Sequence, residues 1–527
     1  MRALRLTVVV ALVAAGILAV PSTASAQLSD VERATATFDF TDNLRPVGFS
    51  SRMVPLDNFR PRSGVINSDL AFWGDTAVQG TYAGFRLIDV DDPDDPKEII
   101  DWEDCASPTN TVGNQGDVIV WGDPQAKRKQ SLVIRSWNSP TPAPRENFNN
   151  PASPEIPAGD PRRLTQPAAF CGDWPMFRRA GTPTHPVPPP PAGQPQAPDR
   201  GEEGVHVIDV SDPEEPRVVA FVDLPCGSHT ETLVPDLEND RLLIYSNPSS
   251  GTVFGQPTPG SEPVHCNGFD IVEVPLANPE DSSYLRFEPN QDPDMEPGQN
   301  LHPCHDTGVI LGDVMKASCA GGPGPTVWTL DPAQGGSLED PEFLFHRDLG
   351  TQIGHSASWS WDGEVLIFGH EPGGGVQARC QATSTDLDRT LFFLDGETGE
   401  TLSEFLHPRP QTATENCTWH NYNVVPTRRA NVLVSGNYQS GISVVDFSDP
   451  EDPEEIAFAD PAPLVNPNNP DAIETGGDWS SYWYDGHIYE SDITRGLILW
   501  KLNDTAVAGA RRLGRLNPQT QEFSFGR

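Results

Sequence analysis

Positive charge is scarce. In 527 residues, 35 Lys and Arg stand against 75 Asp and Glu, a formal net charge of -40. That deficit excludes a nucleic-acid or anionic-membrane partner, because phosphate recognition needs a basic footprint. Long apolar runs are scarce too: after Val20 none is long enough to cross a bilayer, so no transmembrane span is expected. Familiar catalytic motifs are missing as well, with no H-E-x-x-H, no G-x-S-x-G elbow, no P-loop and no G-x-G-x-x-G after a strand. Gly373–Gly375 has no helix after it and reads as a flexible connection. What is plentiful is Pro (54) and Gly (46), beside 36% hydrophobic residues. Such a chain has the material for a large core and breaks it into short strands and many turns.

Residues 1–26 carry Arg2 and Arg5, an apolar run from Leu6 to Val20 that ends at Pro21, and the small-residue site Ala24-Ser25-Ala26. This pattern is that of a cleaved signal peptide, and no cysteine follows the site to carry a lipid. The protein is therefore expected to be secreted, periplasmic or at the cell surface. Its eight cysteines are expected to pair there.

One pattern recurs: GFRLIDVDDPDDPKEI from Gly84, GVHVIDVSDPEEPRVV from Gly204 and GISVVDFSDPEDPEEI from Gly441. Each is a glycine, a strand ending near an aspartate, a D-P-x-x-P turn and another strand. Weaker copies at Asp270, Thr326, Thr390 and Gly496 bring the count to seven, and paired strands precede them. A lone four-stranded sheet cannot bury both faces, so seven such units predict an all-β fold. The expected fold is a seven-bladed β-propeller of four-stranded antiparallel blades. The strands LIDVDDPDDP, VIDVSDPEEP and VVDFSDPEDP resemble the LVIVD repeat of exported bacterial and archaeal propellers. That resemblance implies the fold and the exported address, and no uniform chemistry. The expected layout is a signal peptide (1–26), an N-terminal extension (27–65), the propeller (66–502) and a C-terminal extension (503–527). A Pro-rich insertion (138–203) interrupts blade 2, and one terminal extension, with 503–527 a candidate, closes the last blade.

Propeller topology puts the loop entering an inner strand and the loop between strands two and three on one face. All eight cysteines map to that face, which leads to the expected bonds Cys105–Cys171, Cys226–Cys266, Cys304–Cys319 and Cys380–Cys417. Histidines gather there too. His229, His305, His355 and His420 stand at four successive inner-strand entrances, while blades one, two and seven offer Asp69, Asn110 and Ser480 or Asp478. Imidazoles converging on an axis are candidate ligands for zinc or copper, with Glu231 and Asp306 as supporting or acid–base groups. Trp419 is the candidate ligand contact, and the D-P turns on the opposite face are expected to be self-capped rather than calcium-binding. Two readings follow. One is a monomeric binding or scaffold protein that presents a disulfide-braced face to a protein, glycan or small molecule. The other is a metal-dependent enzyme, an oxidoreductase for example, with a histidine-lined channel.

Overall fold

In the computed structural model, residues 28–53, 66–103, 116–122, 130–137, 204–224, 226–248, 266–289 and 303–526 are described, with the backbone of a few two-residue strands besides. Residues 1–26, the expected signal peptide, and nearly all of the expected insertion lie outside them. Seven antiparallel four-stranded blades follow in chain order. Their inner strands are Asn67–Trp73, Val118–Gly122, Thr230–Asp236, Thr307–Ile310, Gly354–Trp359, Asn421–Val424 and Asp478–Tyr484. In blade 2, Ser131–Trp137 pairs directly with Gly204–Asp209, so the insertion leaves and re-enters between the second and third strands.

Burial follows position in the blade. The inner strand of blade 5 is wholly buried, whereas the outer strand of blade 1, Lys97–Trp102, is exposed at its start and closes on a buried Trp102. Seven apolar clusters fill the spaces between sheets, one for each neighbouring pair of blades. The cluster between blades 7 and 1 shows that the ring closes: Tyr482, Tyr484 and Leu499 pack on Leu70, Phe72 and Ile88. The Tyr482 hydroxyl donates to Asp69 across that joint at 2.6 Å.

The closing strand comes from the N-terminal flank. Leu44–Ser51 pairs antiparallel with Gly496–Leu502 as the outer strand of blade 7. Residues 503–526, the candidate for that role, do not close the blade. Their Arg-Arg-Leu-Gly-Arg run lacks strand alternation, and they cross the far end of the channel instead. Leu516 pairs with Phe72 of blade 1, and the Asn517 amide brackets the Val120 backbone of blade 2 at 2.7 and 2.9 Å. Thr520–Gln521 runs parallel to Val309–Ile310 of blade 4, and Phe523 stacks on Trp361 of blade 5.

The repeat's turns cap themselves in one geometry. Asp89, Asp209 and Asp446 each accept the backbone N–H two residues on (3.0, 2.9 and 2.9 Å), and Asp92, Asp212 and Asp449 do the same (3.1, 3.2 and 3.1 Å). These carboxylates are spent on local turns.

Candidate metal centre at the channel mouth

The four histidines converge. Ring centroids run His229–His305 4.5 Å, His305–His355 3.9 Å and His355–His420 4.1 Å. Equal height on neighbouring inner strands brings them together. His229 and His420 immediately precede their strands, His305 lies just before Thr307, and His355 is the second residue of its own. His355 is also a bulge residue: Gly354 pairs with His370 and Ser356 with Gly369, so His355 has no opposite number and is re-aimed toward the axis. A bulge of the same kind at Trp479 turns that ring against His420, at 5.2 Å.

Hydrogen-bond partners decide which nitrogen faces the mouth. His305 Nδ1 lies 3.2 Å from the His355 carbonyl, and His420 Nδ1 lies 2.5 Å from the Trp479 carbonyl. A carbonyl only accepts, so both Nδ1 atoms carry the proton. The Ser356 hydroxyl faces the His420 carbonyl at 2.7 Å and so must accept from His355 Nδ1 at 2.9 Å. Three rings are thus held as Nδ1–H tautomers with a bare Nε2, as outer hydrogen bonds do in metal sites. Burial reinforces this. It depresses His229 to about 4 and His420 to about 3, and pushes His305 and His355 well below the ordinary imidazole range. All four are neutral at pH 7.

Glu371 joins the group. Its carboxylate and the ring nitrogens of His305 and His355 lie within 4.8 Å of one another. His229 Nε2 is 2.9 Å from His305 Nε2. Burial raises Glu371 to about 7, countered by the Tyr438 hydroxyl that donates to it at 2.6 Å. Neither Glu371 nor Tyr438 stands out in the sequence. The one available signal was the glycine triplet: a Cβ on Gly375 would come within 2.4 Å of both Glu371 Oε1 and the Tyr438 oxygen. The glycine makes room for that contact and is more than a loose connection.

The other expected residues are placed as follows. Glu231 accepts from the Ser228 hydroxyl, and its backbone N–H donates to Asp117 at 2.7 Å. Asp306 accepts from the Thr307 N–H at 2.8 Å. Burial pushes both carboxyls up to about 8. With Asp69 and Asp117 they make a buried acidic group contributed by blades 1 to 4. Asn110 lies outside the described residues, and Asp117 heads the inner strand of blade 2. Trp419 is not a face contact, contrary to expectation. It is 1% exposed, donates to the Arg389 carbonyl at 2.8 Å and packs between blades 5 and 6. In the segment that leads into the inner strand, its ring turns into the packing between the blades, whereas the next residue, His420, faces the mouth.

Three disulfides form as expected: Cys226–Cys266, Cys304–Cys319 and Cys380–Cys417. They are the chemistry of an oxidising compartment. Each ties down a residue one to three positions before His229, His305 or His420. Side chains of the fourth pair, Cys105–Cys171, lie outside the described residues, although the two are backbone partners in short strands. His407 lies beside Cys380 and Cys417, but their sulfurs are bonded to each other and do not make a metal triad with it.

No helix among the described residues is long and apolar enough to cross a membrane. No protein family and no curated protein matches this chain. Among solved structures it is similar to the extracellular domain of the one-component system BT4673 from B. thetaiotaomicron (10% identity, TM-score 0.39), covering 86% of this chain and 40% of that one. It is similar to the β-propeller domain of Myceliophteria thermophila Cps50 (9%, 0.43, 86% and 100%) and to the N-terminal domain of Nup159 (11%, 0.38, 88% and 95%). The blades themselves, seven sheets of four antiparallel strands closed in a ring, identify the chain as a seven-bladed β-propeller.

Proposed function

We propose that this protein is an exported metalloprotein, an LVIVD-type propeller that holds a divalent transition-metal ion at one mouth of its channel. The Nε2 atoms of His229, His305 and His355 and the carboxylate of Glu371 are the ligands. The observation that carries this reading is the tautomer pattern of His305 and His355, with electron pairs aimed inward by acceptors placed behind the rings; His229 Nε2, the donor in its 2.9 Å contact with His305 Nε2, joins them by giving up that proton as the ion binds. Chemistry narrows the ion. Two nitrogens 2.9 Å apart, each about 2.0–2.1 Å from a shared metal, subtend nearly a right angle. That suits tetragonal copper(II) better than tetrahedral zinc. The disulfide-braced face around the mouth is the surface a small ligand or partner meets first, and the bound ion supplies Lewis-acid or electron-transfer chemistry to it. The signal-peptide pattern and three disulfides support export.

The test is metal content. The oxidised protein, stripped and reloaded with copper(II), is expected to retain the ion stoichiometrically by elemental analysis. The double variant His305→Ala, His355→Ala is expected to lose the ion held by these ligands. Sub-stoichiometric copper in the parent protein, or no loss of copper in the double variant, overturns the proposal.

A further inference from the structure

We propose that His420, Tyr438 and Glu371 form a second metal position that shares the Glu371 carboxylate with the first and has Tyr438 as a phenolate ligand. This rests on the reading that His229, His305, His355 and Glu371 hold one ion. The two positions are then the halves of a carboxylate-linked pair.

His420 Nδ1 gives its hydrogen to the Trp479 carbonyl, so the neutral ring presents a lone pair at Nε2. That lone pair lies 2.8 Å from the Tyr438 oxygen, and Glu371 Oε1 lies 2.6 Å from the same oxygen. With Glu371 ionised, the one hydroxyl hydrogen faces two electron-pair donors and cannot serve both. A cation placed among the three atoms satisfies all of them.

The space is suitable. His420 Nε2 and Glu371 Oε1 are 3.7 Å apart, which completes a triangle with the phenol oxygen. From the three sides, the circle through these atoms has a radius of about 1.9 Å, so an ion about 2.0–2.1 Å from each sits just off their plane. Loading it releases the Tyr438 proton to solvent as the metal–oxygen bond forms. A nitrogen, a phenolate and a carboxylate are donors that copper(II) accepts.

Backbone strain supplies an independent observation. Tyr438 has φ +56°, and the other non-glycine residues with positive φ among those described are Asp240 and Asp485, a residue type that tolerates it. A bulky ring is a true outlier in that region. It is kept there by reciprocal backbone bonds with Asp478 of the next blade, 2.7 and 2.8 Å. Those bonds turn the side chain back over His420, with ring centroids 4.2 Å apart. Such strain collects where a side chain's placement matters.

The experiment uses the oxidised full chain, stripped with a chelator and reloaded with copper(II). Two coppers per chain and a visible phenolate-to-copper charge-transfer band are expected in the parent protein. Tyr438→Phe is expected to hold one copper and to lack the band, with its disulfides and circular dichroism unchanged. His420→Gln is also expected to hold one, and it decides the matter where the Phe variant does not fold. A parent protein with one copper and no band overturns this inference and leaves the first site standing, as does a Phe variant that keeps both coppers. A parent protein that holds no copper overturns both readings.

Discussion

Glu490 shows how this fold treats single carboxyls. It is buried on the second strand of blade 7 and accepts the Trp500 indole N–H at 2.7 Å. Burial, then the neighbouring Asp478 and Asp492, push its carboxyl well above the usual carboxylate range. A carboxyl with a raised folded pKa keeps its proton in the native state while the unfolded chain gives it up. The native state then binds more protons, and stability falls as pH rises above the unfolded value of about 4.3. Each unit of separation is worth about 1.4 kcal/mol. Glu490→Gln keeps an oxygen for Trp500 and has no proton to lose. Its melting temperature is expected to fall less than that of the parent between pH 5 and pH 8; equal falls in thermal melts at both pH values would count against the assignment.

At the level of elements, the recurring glycine of the repeat has a steric cause. A Cβ on Gly84, Gly204 or Gly441 would lie 1.8, 1.9 or 2.0 Å from the carbonyl of Trp102, Val222 or Ala459 on the adjoining outer strand. The third strand of each blade therefore starts at a point where the outer strand presses against it. Gly204→Ala is expected to splay these strands and cost about 1–3 kcal/mol by overpacking, read as a lowered denaturation midpoint. An unchanged midpoint would show that the outer strand shifts freely. The disulfides work at the same scale. The Cys304–Cys319 link closes a 15-residue span, for which the chain-entropy model gives about 3 kcal/mol, and it anchors His305 directly.

Across the whole molecule, the two ends of the chain do different jobs. Leu44–Ser51 closes the ring, and the tail after Leu502 spans the channel end opposite the histidines. Its last residues are pinned by cation–π contacts, Arg511 over Phe523 at 4.2 Å and Arg428 over Phe525 at 4.9 Å. Gln519 reaches into the channel to Asp69 at 3.4 Å. Truncation after Asn503 is expected to leave the propeller's circular dichroism intact, lower the melting temperature and speed amide exchange at Val309 and Leu311, which donate to the tail. Unchanged exchange at those amides would mean that the tail does not seal this end. Charge is also divided: the self-capped acidic turns lie on the tail's face, away from the histidine mouth.

The blades were legible in the sequence because each is a local unit. Alternating apolar residues, a glycine start and an Asp-Pro turn specify it without reference to distant partners. The same periodicity placed His229, His305, His355 and His420 at one height and paired the cysteines of three loops, since strand count alone sets which end of a blade a loop occupies. Other features depended on contacts far apart in the chain. The rings' tautomers follow from carbonyls on neighbouring blades, and the aim of His355 from a bulge that leaves no mark in its sequence. Glu371 and Tyr438 meet across 67 residues, in space cleared by Gly375. Which end closes the ring was likewise decided by packing, because a closing strand is recognised by the edge it fills. Periodic sequence determined the ring and the height of the histidines; only tertiary structure decided which atoms face one another at its mouth.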